Sequence, residues 1–150
     1  MNEYICLDSS VWIKYLTWEE GSEESQRLLA EIRRHRQIVV LPDFAWAEIA
    51  SVLRKKLRAG WLTEDEAEIV WESFLKLGIT YVHCDELMET AWRISREENL
   101  PTVYDAAYLA VAELYSKGEE ICEFWTADAQ LARSTGSHRR YIKLLMEGIE

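Results

Sequence analysis

Short apolar runs that stop abruptly alternate along this chain with longer stretches of helical periodicity, and that alternation limits the folds open to it more than any single residue does. Residues 4–7 (Tyr-Ile-Cys-Leu) form the first run and end at Asp8; Val11, Trp12, Tyr15 and Leu16 follow at helical spacing, so a strand passes directly into a helix. A second helix is expected over 22–36. The β-branched run 38–41 is closed by Pro42, after which Asp43 is placed to cap a helix reaching 59 and stopping at Gly60. Thr63-Glu64-Asp65-Glu66 has the form of a capping box, for a helix ending at Gly78. A third strand is read over 79–83. A helix capped by Asp85 then runs to 99, where Leu100-Pro101 breaks it, and another spans 103–117 before Gly118. Residues 121–126 read as a fourth strand, 127–134 as a short helix and 141–145 as a candidate fifth strand.

Parallel neighbours need a crossover connection, and the helices between these strands supply it. The fold class expected is therefore α/β: three layers, α/β/α, around a central parallel sheet of four or five strands. The 150 residues, 49% hydrophobic and including seven tryptophans, suffice for a sizeable core and fit a single domain over 1–150. Ligands of such sheets bind outside the carboxyl ends of the strands, near the point where strand order reverses.

Seventeen basic residues against 27 acidic ones give a net charge of -10, the wrong sign for a chain that holds phosphates by its average field. The charges are, however, segregated. Residues 49–63 contain no acid but include Arg54, Lys55, Lys56 and Arg58; residues 129–146 contain no acid but include Arg133, Arg139, Arg140 and Lys143. Each run is either a basic patch or a solvated helix face. Acids gather at Glu19, Glu20, Glu23 and Glu24 and at Glu64, Asp65, Glu66 and Glu68, where they read as solvated helix starts. Cys6, Cys84 and Cys122 are odd in number and show no CxxC or zinc spacing, so buried thiols in a reducing cytoplasm are expected. The opening Met-Asn-Glu-Tyr lacks a basic segment leading into an apolar stretch, and no uncharged apolar run approaches the roughly 20 residues of a membrane span. Export and membrane insertion are not expected.

Four acids stand where folding alone has little reason to place them, because an unpaired buried carboxylate is strongly disfavoured. Asp8 closes the first strand; its rival role is to cap the next helix, and Ser9 and Ser10 are able either to orient a carboxylate or to cap. Glu48 has Phe44 and Val52 one turn to either side and Ala45, Ile49 and Leu53 beside it, an apolar stripe that faces the core; the alternative is the edge of that stripe, reaching water. Asp105 begins the apolar stretch Asp-Ala-Ala-Tyr-Leu-Ala-Val-Ala, yet with Thr102 it also has capping-box spacing, and Tyr104 and Tyr108 beside it read as packing. Asp128 follows Phe-Trp-Thr at a strand end, repeating the placement of Asp8, with a cap again the alternative. All four point towards one crevice. Clustered carboxylates raise one another's pKa unless cations neutralise them, so bound metal is implied, and oxygen-only ligation favours Mg²⁺ or Mn²⁺.

Asp8-Ser9-Ser10-Val11 after the first strand, Glu48 in the helix after the second, Tyr104-Asp105-Ala106-Ala107 opening a helix, and Thr126-Ala127-Asp128 after the fourth strand carry a resemblance that spans essentially the whole chain. In that order and context they resemble the PIN-domain ribonucleases, particularly the VapC toxins of bacterial and archaeal toxin-antitoxin pairs. The resemblance implies a sheet in the order 3-2-1-4-5 and an acidic cluster of Asp8, Glu48, Asp105 and Asp128 that binds one or two Mg²⁺ or Mn²⁺ ions and hydrolyses RNA. Asp8, Asp105 and Asp128 would serve the water-activating ion, and Glu48 a second ion or the role of general base, with Ser10 and Thr126 orienting carboxylates or water. RNA would be gripped by Arg54, Lys55, Arg58 and Arg133 and the basic runs around them. A cognate antitoxin and a homodimer are also implied; Trp18, Trp61 and Trp71 are candidates for those interfaces, with core packing expected for most of the tryptophans.

Haloacid-dehalogenase-like phosphatases also carry an aspartate after the first strand, but as Asp-x-Asp, and Ser10 stands at the second position here. No GxSxG, P-loop or GxGxxG occurs, and His35, His83 and His138 form no pattern with a nucleophile. The substantial rival is a PIN-like domain that keeps its acids but only binds RNA or protein. Metal-dependent cleavage separates the two.

Overall fold

The structure is a computed structural model that describes residues 2–135 and 138–148. The elements are β1 (Tyr4–Leu7), α1 (Ser9–Leu16), α2 (Ser22–Arg34), β2 (Ile38–Pro42), α3 (Ala45–Arg58), α4 (Glu64–Leu75), β3 (Thr80–Val82), α5 (Asp85–Glu97), α6 (Val103–Leu114), β4 (Glu123–Thr126), α7 (Ala129–Thr135), β5 (Ile142–Leu144) and α8 (Leu145–Gly148). All strands pair in parallel, in the order β3-β2-β1-β4-β5 that the resemblance implies, and the candidate fifth strand forms. The expected domain limits, 1 and 150, lie outside the described residues.

Successive strand residues point to opposite faces of a sheet, so a strand buried at every position must be covered on both. Ile5, Cys6 and Leu7 of β1 and Phe124, Trp125 and Thr126 of β4 meet that condition. α6 lies on β1, β2 and β4 and packs along α5, while α1 packs on β4 and against α2 and α3. The buried residues form a continuous core in which Trp12 of α1 meets Phe74 of α4 edge-on at 5.8 Å, and Trp71 stacks on Phe74 at 5.4 Å.

The turn between α3 and α4 is fixed from both sides. Gly60 adopts φ 82°, a conformation that favours glycine; its N–H donates to Leu57 O at 3.1 Å and that of Trp61 to Lys56 O at 2.9 Å, the paired bonds that close a helix on a left-handed residue. Thr63 and Glu66 then form the expected capping box, with side chain to backbone bonds of 3.1 and 3.0 Å.

Several local expectations are corrected. Asp43 does not cap α3, because its backbone N–H extends the β2–β3 pairing by donating to Val82 O at 3.1 Å, which delays the helix to Phe44; its carboxylate meets His83 Nδ1 at 3.1 Å instead. Asp85 lies inside the first turn of α5, with Cys84 at the cap position. That helix ends on Asn99, at φ 50°, with the Leu100 N–H on Ser95 O at 2.9 Å, before Pro101 is reached. α6 stops at Leu114, beyond which the Ser116 N–H bonds the carbonyl three residues back, Glu113 O at 3.2 Å, and Ser116 Oγ accepts the Cys122 N–H at 2.8 Å. Cys6 and Cys122 are buried, but Cys84 is exposed. The tryptophans also depart from expectation: Trp12 and Trp125 are buried and Trp71 half-buried, whereas Trp18, Trp46, Trp61 and Trp92 are exposed. Among the described residues no helix is long and apolar enough to cross a membrane.

Candidate active site

Strand order reverses between β1 and β4, so the carboxyl ends of these two strands form the crevice of the sheet. Asp8 stands just beyond β1 in that crevice, only 7% exposed. Its N–H carries the β1–β4 pairing one step further, donating to Trp125 O at 2.9 Å. Asp8 occupies the cap position of α1, yet its side chain makes no cap bond. Oδ2 accepts instead from Thr126 Oγ1 at 2.8 Å and Ser10 Oγ at 2.9 Å, and Oδ1 accepts from Ser9 Oγ at 3.4 Å. Thr126 Oγ1 accepts the Asp128 N–H at 3.0 Å and Ser10 Oγ accepts the Ala127 N–H at 3.1 Å. Each hydroxyl thus has a backbone donor on its lone pair and its proton on Asp8, which ties the carboxylate to the turn after β4. Burial nevertheless pushes the Asp8 carboxyl above its ordinary range; the Thr126, Ser10 and Ser9 bonds pull the other way, and the Asp128 charge adds to the rise.

Glu48 lies in the first turn of α3, at the margin of the buried stripe Ala45, Ile49 and Leu53. Its Oε1 accepts from the Tyr108 hydroxyl at 2.7 Å. Tyr108, from α6, is buried, with Phe44 edge-on at 6.0 Å and Phe124 at 5.9 Å. Burial first, then the Glu48 and Asp8 charges, raise its phenol so far that it remains a donor. Tyr108 therefore does more than pack, which corrects the sequence expectation. The available signal was general: a buried tyrosine hydroxyl needs a partner, but nothing in the sequence names one 60 residues away. The Glu48 carboxyl is raised by burial, against the Tyr108 bond and with help from Asp8 and Asp105. Asp105 sits in the first turn of α6, and Thr102 makes no side-chain cap, so the capping box does not form. Burial, then Asp8 and Asp128, raise the Asp105 carboxyl. Asp128 is exposed, and its Oδ1 accepts the Leu131 N–H at 3.1 Å, the cap role open to it in the sequence.

The four acids thus form one electrostatic cluster, each within reach of another's charge. No lysine or arginine is among the groups that chiefly set the acidity of Asp8, Glu48 and Asp105. A set of hard oxygens with uncompensated negative charge fits a divalent cation such as Mg²⁺ or Mn²⁺. Among the described residues, however, no three acids, histidines or cysteines are already arranged around a common point as metal ligands.

The basic residues divide by element. Lys55 lies on a groove of about 570 Å³ that takes in Ser10 and Asp128; Arg54 lies on a separate groove against Trp71. Arg58 and Arg133 are exposed on α3 and α7. The second basic run does not form a continuous patch. Arg139 is drawn inward to Glu97 at 2.7 Å, Glu98 at 2.9 Å and Glu113 at 3.3 Å, while Arg140 and Lys143 share a cavity with Glu119, Glu120 and Glu123. Glu19 is likewise not a solvated helix start: it bridges Lys14 at 3.1 Å and Lys56 at 2.8 Å. Burial pushes the Glu19 carboxyl up, but the lysine bonds outweigh it and hold it below the usual range.

The family model of the PIN domain matches residues 5–134, a span that runs from β1 into α7 and contains all four acids with Ser10 and Thr126. The chain belongs to the PIN-domain family. It is also 33% identical, over 114 residues, to the protein named Ribonuclease VapC3 of Pyrobaculum aerophilum, a match that covers 73% of this chain and 81% of that relative. Within this PIN domain the hydroxyls of Ser9, Ser10 and Thr126 donate to Asp8 at the end of β1, and the phenol of Tyr108 donates to Glu48 on α3.

Proposed function

We propose that this PIN domain is a metal-dependent endoribonuclease that hydrolyses RNA phosphodiester bonds, and that it is the toxin of a toxin-antitoxin pair. What supports the reading is that Asp8, Glu48, Asp105 and Asp128 lie within reach of one another's charge, with Asp8 at the switch point of the sheet and with Asp8, Glu48 and Asp105 raised by burial and by their acidic neighbours. The name of the relative, a ribonuclease, supports the same reaction class.

The four acids would hold one or two Mg²⁺ or Mn²⁺ ions. When bound, such an ion supplies Lewis acidity for the phosphoryl oxygens and a strong nucleophile at neutral pH. Ser10 and Thr126 hold Asp8 in one orientation, because each hydroxyl is locked by a backbone donor. Where Glu48 serves as general base instead of holding a second ion, Tyr108 engages its Oε1 and leaves Oε2 to take the proton of the attacking water as the water oxygen adds to phosphorus, the bond to the leaving ribose oxygen breaks and that oxygen takes a proton from solvent. Lys55 borders the groove beside Asp128 and offsets phosphate charge, with Arg54, Arg58 and Arg133 as outer contacts. The net charge of -10 makes non-specific RNA binding weak and salt-sensitive. An antitoxin that covers the site, a homodimer and a cytoplasmic location complete the proposal.

One observation favours the other reading, a PIN-like module that binds RNA or protein without cutting: no three of the described acids are already arranged as ligands, and Asp128 is engaged as a cap. Incubating the purified protein with structured RNAs in Mg²⁺, Mn²⁺ or EDTA, beside Asp8→Asn and Asp105→Asn, decides between them. Cleavage is expected with either metal and not in EDTA, and both variants are expected to lose more than the roughly 10–100-fold typical of changes beyond the ligands themselves. No metal-dependent cleavage of any RNA, or unchanged cleavage by both variants, overturns the nuclease reading.

A further inference from the structure

The groove that adjoins the acid cluster continues past Lys55 to Trp61, and its volume of about 570 Å³ is in the range of small-ligand sites. Trp61 is 74% exposed, yet its backbone is fixed by the left-handed turn at Gly60 and by the 2.9 Å bond to Lys56 O. The Lys56 ammonium sits 5.2 Å from the indole centre and is itself tied to Glu19 at 2.8 Å. Lys14 and Lys56 share that one carboxylate, and among the described residues no carboxylate pairs with Lys55. The wall away from Asp128 is therefore positive and carries an exposed indole on a backbone fixed by the turn.

We propose that this groove is a nucleotide subsite in which an unpaired base stacks on Trp61 while Lys55 meets a backbone phosphate, next to the bond cut at the acid cluster. The proposal rests on the nuclease reading for the identity of its ligand. An aromatic ring accepts any base with a free face, whereas a base inside a duplex has both faces stacked on its neighbours. The substrate must then be single-stranded at this position. Charge complementarity and continuity with the acids favour a nucleotide over an apolar peptide as the occupant.

The test is fluorescence anisotropy of a labelled single-stranded RNA decamer, and of a duplex of the same sequence, binding to the intact protein, Trp61→Ala and Trp61→Phe in EDTA, with thermal melts as a folding control. Trp61→Ala is expected to weaken single-strand binding by about tenfold, with Trp61→Phe close to the unaltered protein and duplex binding unchanged. Equal single-strand affinities for the unaltered protein and Trp61→Ala, an equal loss on single strand and duplex, or no binding of the single strand by the unaltered protein overturns the assignment. A protein that cleaves RNA but is indifferent to Trp61 refutes only the subsite; Trp61-dependent binding without metal-dependent cleavage refutes only the nuclease reading.

Discussion

In its first turn α6 carries Asp105, among Asp8, Glu48 and Asp128; near its last it carries Glu113, among Glu97, Glu98, Arg93 and Arg139. The helix dipole favours an acid at the first position and disfavours one at the second. The neighbouring charges run against that preference. Asp105 is raised by burial and by its acidic neighbours, while at the other end Arg93, then Arg139, hold the Glu97 carboxyl below its usual range. Glu113 meets Arg93 at 2.6 Å and Arg139 at 3.3 Å, and Glu98, its side chain 5% exposed, meets Arg139 at 2.9 Å and also contacts His138. One cluster carries its cations on the chain and braces α5, α6 and the segment before β5. The other is held by hydroxyls and backbone donors, so its charge is left for a cation from solution.

Removing a cation from the braced end should have the largest effect on stability. Arg139→Ala leaves Glu98 buried beside fewer donors, and a loss of about 3 kcal/mol is expected in urea unfolding, at the low end for a broken buried pair because Glu97 and Glu113 remain half exposed. A loss below about 1 kcal/mol would mean that both clusters are equally loosely held. At the other end Tyr108→Phe removes the neutral donor to Glu48. Cleavage kcat/KM should fall roughly 10–100-fold while single-stranded RNA binding in EDTA is unchanged. A parallel loss of binding would show a general disturbance of the groove.

The smallest effect sharpens the comparison through its sign. Asp8, Glu48 and Asp105 have folded-state pKa values above their unfolded ones, so the stability they contribute is complete below the ordinary carboxylate range and is lost as pH rises through the raised values. Glu97 and Glu19 are held low, so their contribution is complete above the ordinary range and is lost as pH falls through the lowered values. In EDTA, Asp8→Asn should therefore gain on the unaltered protein as pH rises from about 4, by about 1 kcal/mol per pH unit until the Asp8 carboxyl has ionised. Melting curves that stay parallel across pH would contradict the raised acidity.

The strand ends were legible because the rule that reads them is local. A β-branched or aromatic run stopping at Asp8 or at Asp128 marks the carboxyl end of a strand whatever the rest of the chain does, and Ser10 and Thr126 lie within two residues of those acids. What was illegible depends on partners far away in sequence. Tyr108 finds Glu48 only because α6 crosses β1 and β2. Arg139 belongs to a run without acids in the sequence, yet it meets three glutamates, Glu97 at the end of α5, Glu98 just beyond it and Glu113 of α6. The exposure of Trp61 is equally a tertiary outcome, since its position after Gly60 marks a helix end and says nothing of which side faces water. Asp105 shows the reverse case: its capping-box spacing is present, but the box does not form, because spacing permits a local bond without requiring it.

Calorimetric titration of Mn²⁺ into the intact protein and into Asp8→Asn tests most directly whether the uncompensated acids are a cation site. Saturable binding by the unaltered protein is expected, abolished in Asp8→Asn, with a melting temperature that rises with metal only in the former; at 100 times the dissociation constant the stabilisation should be about 2.7 kcal/mol. No saturable binding by the unaltered protein, or equal binding by Asp8→Asn, would contradict a cation site.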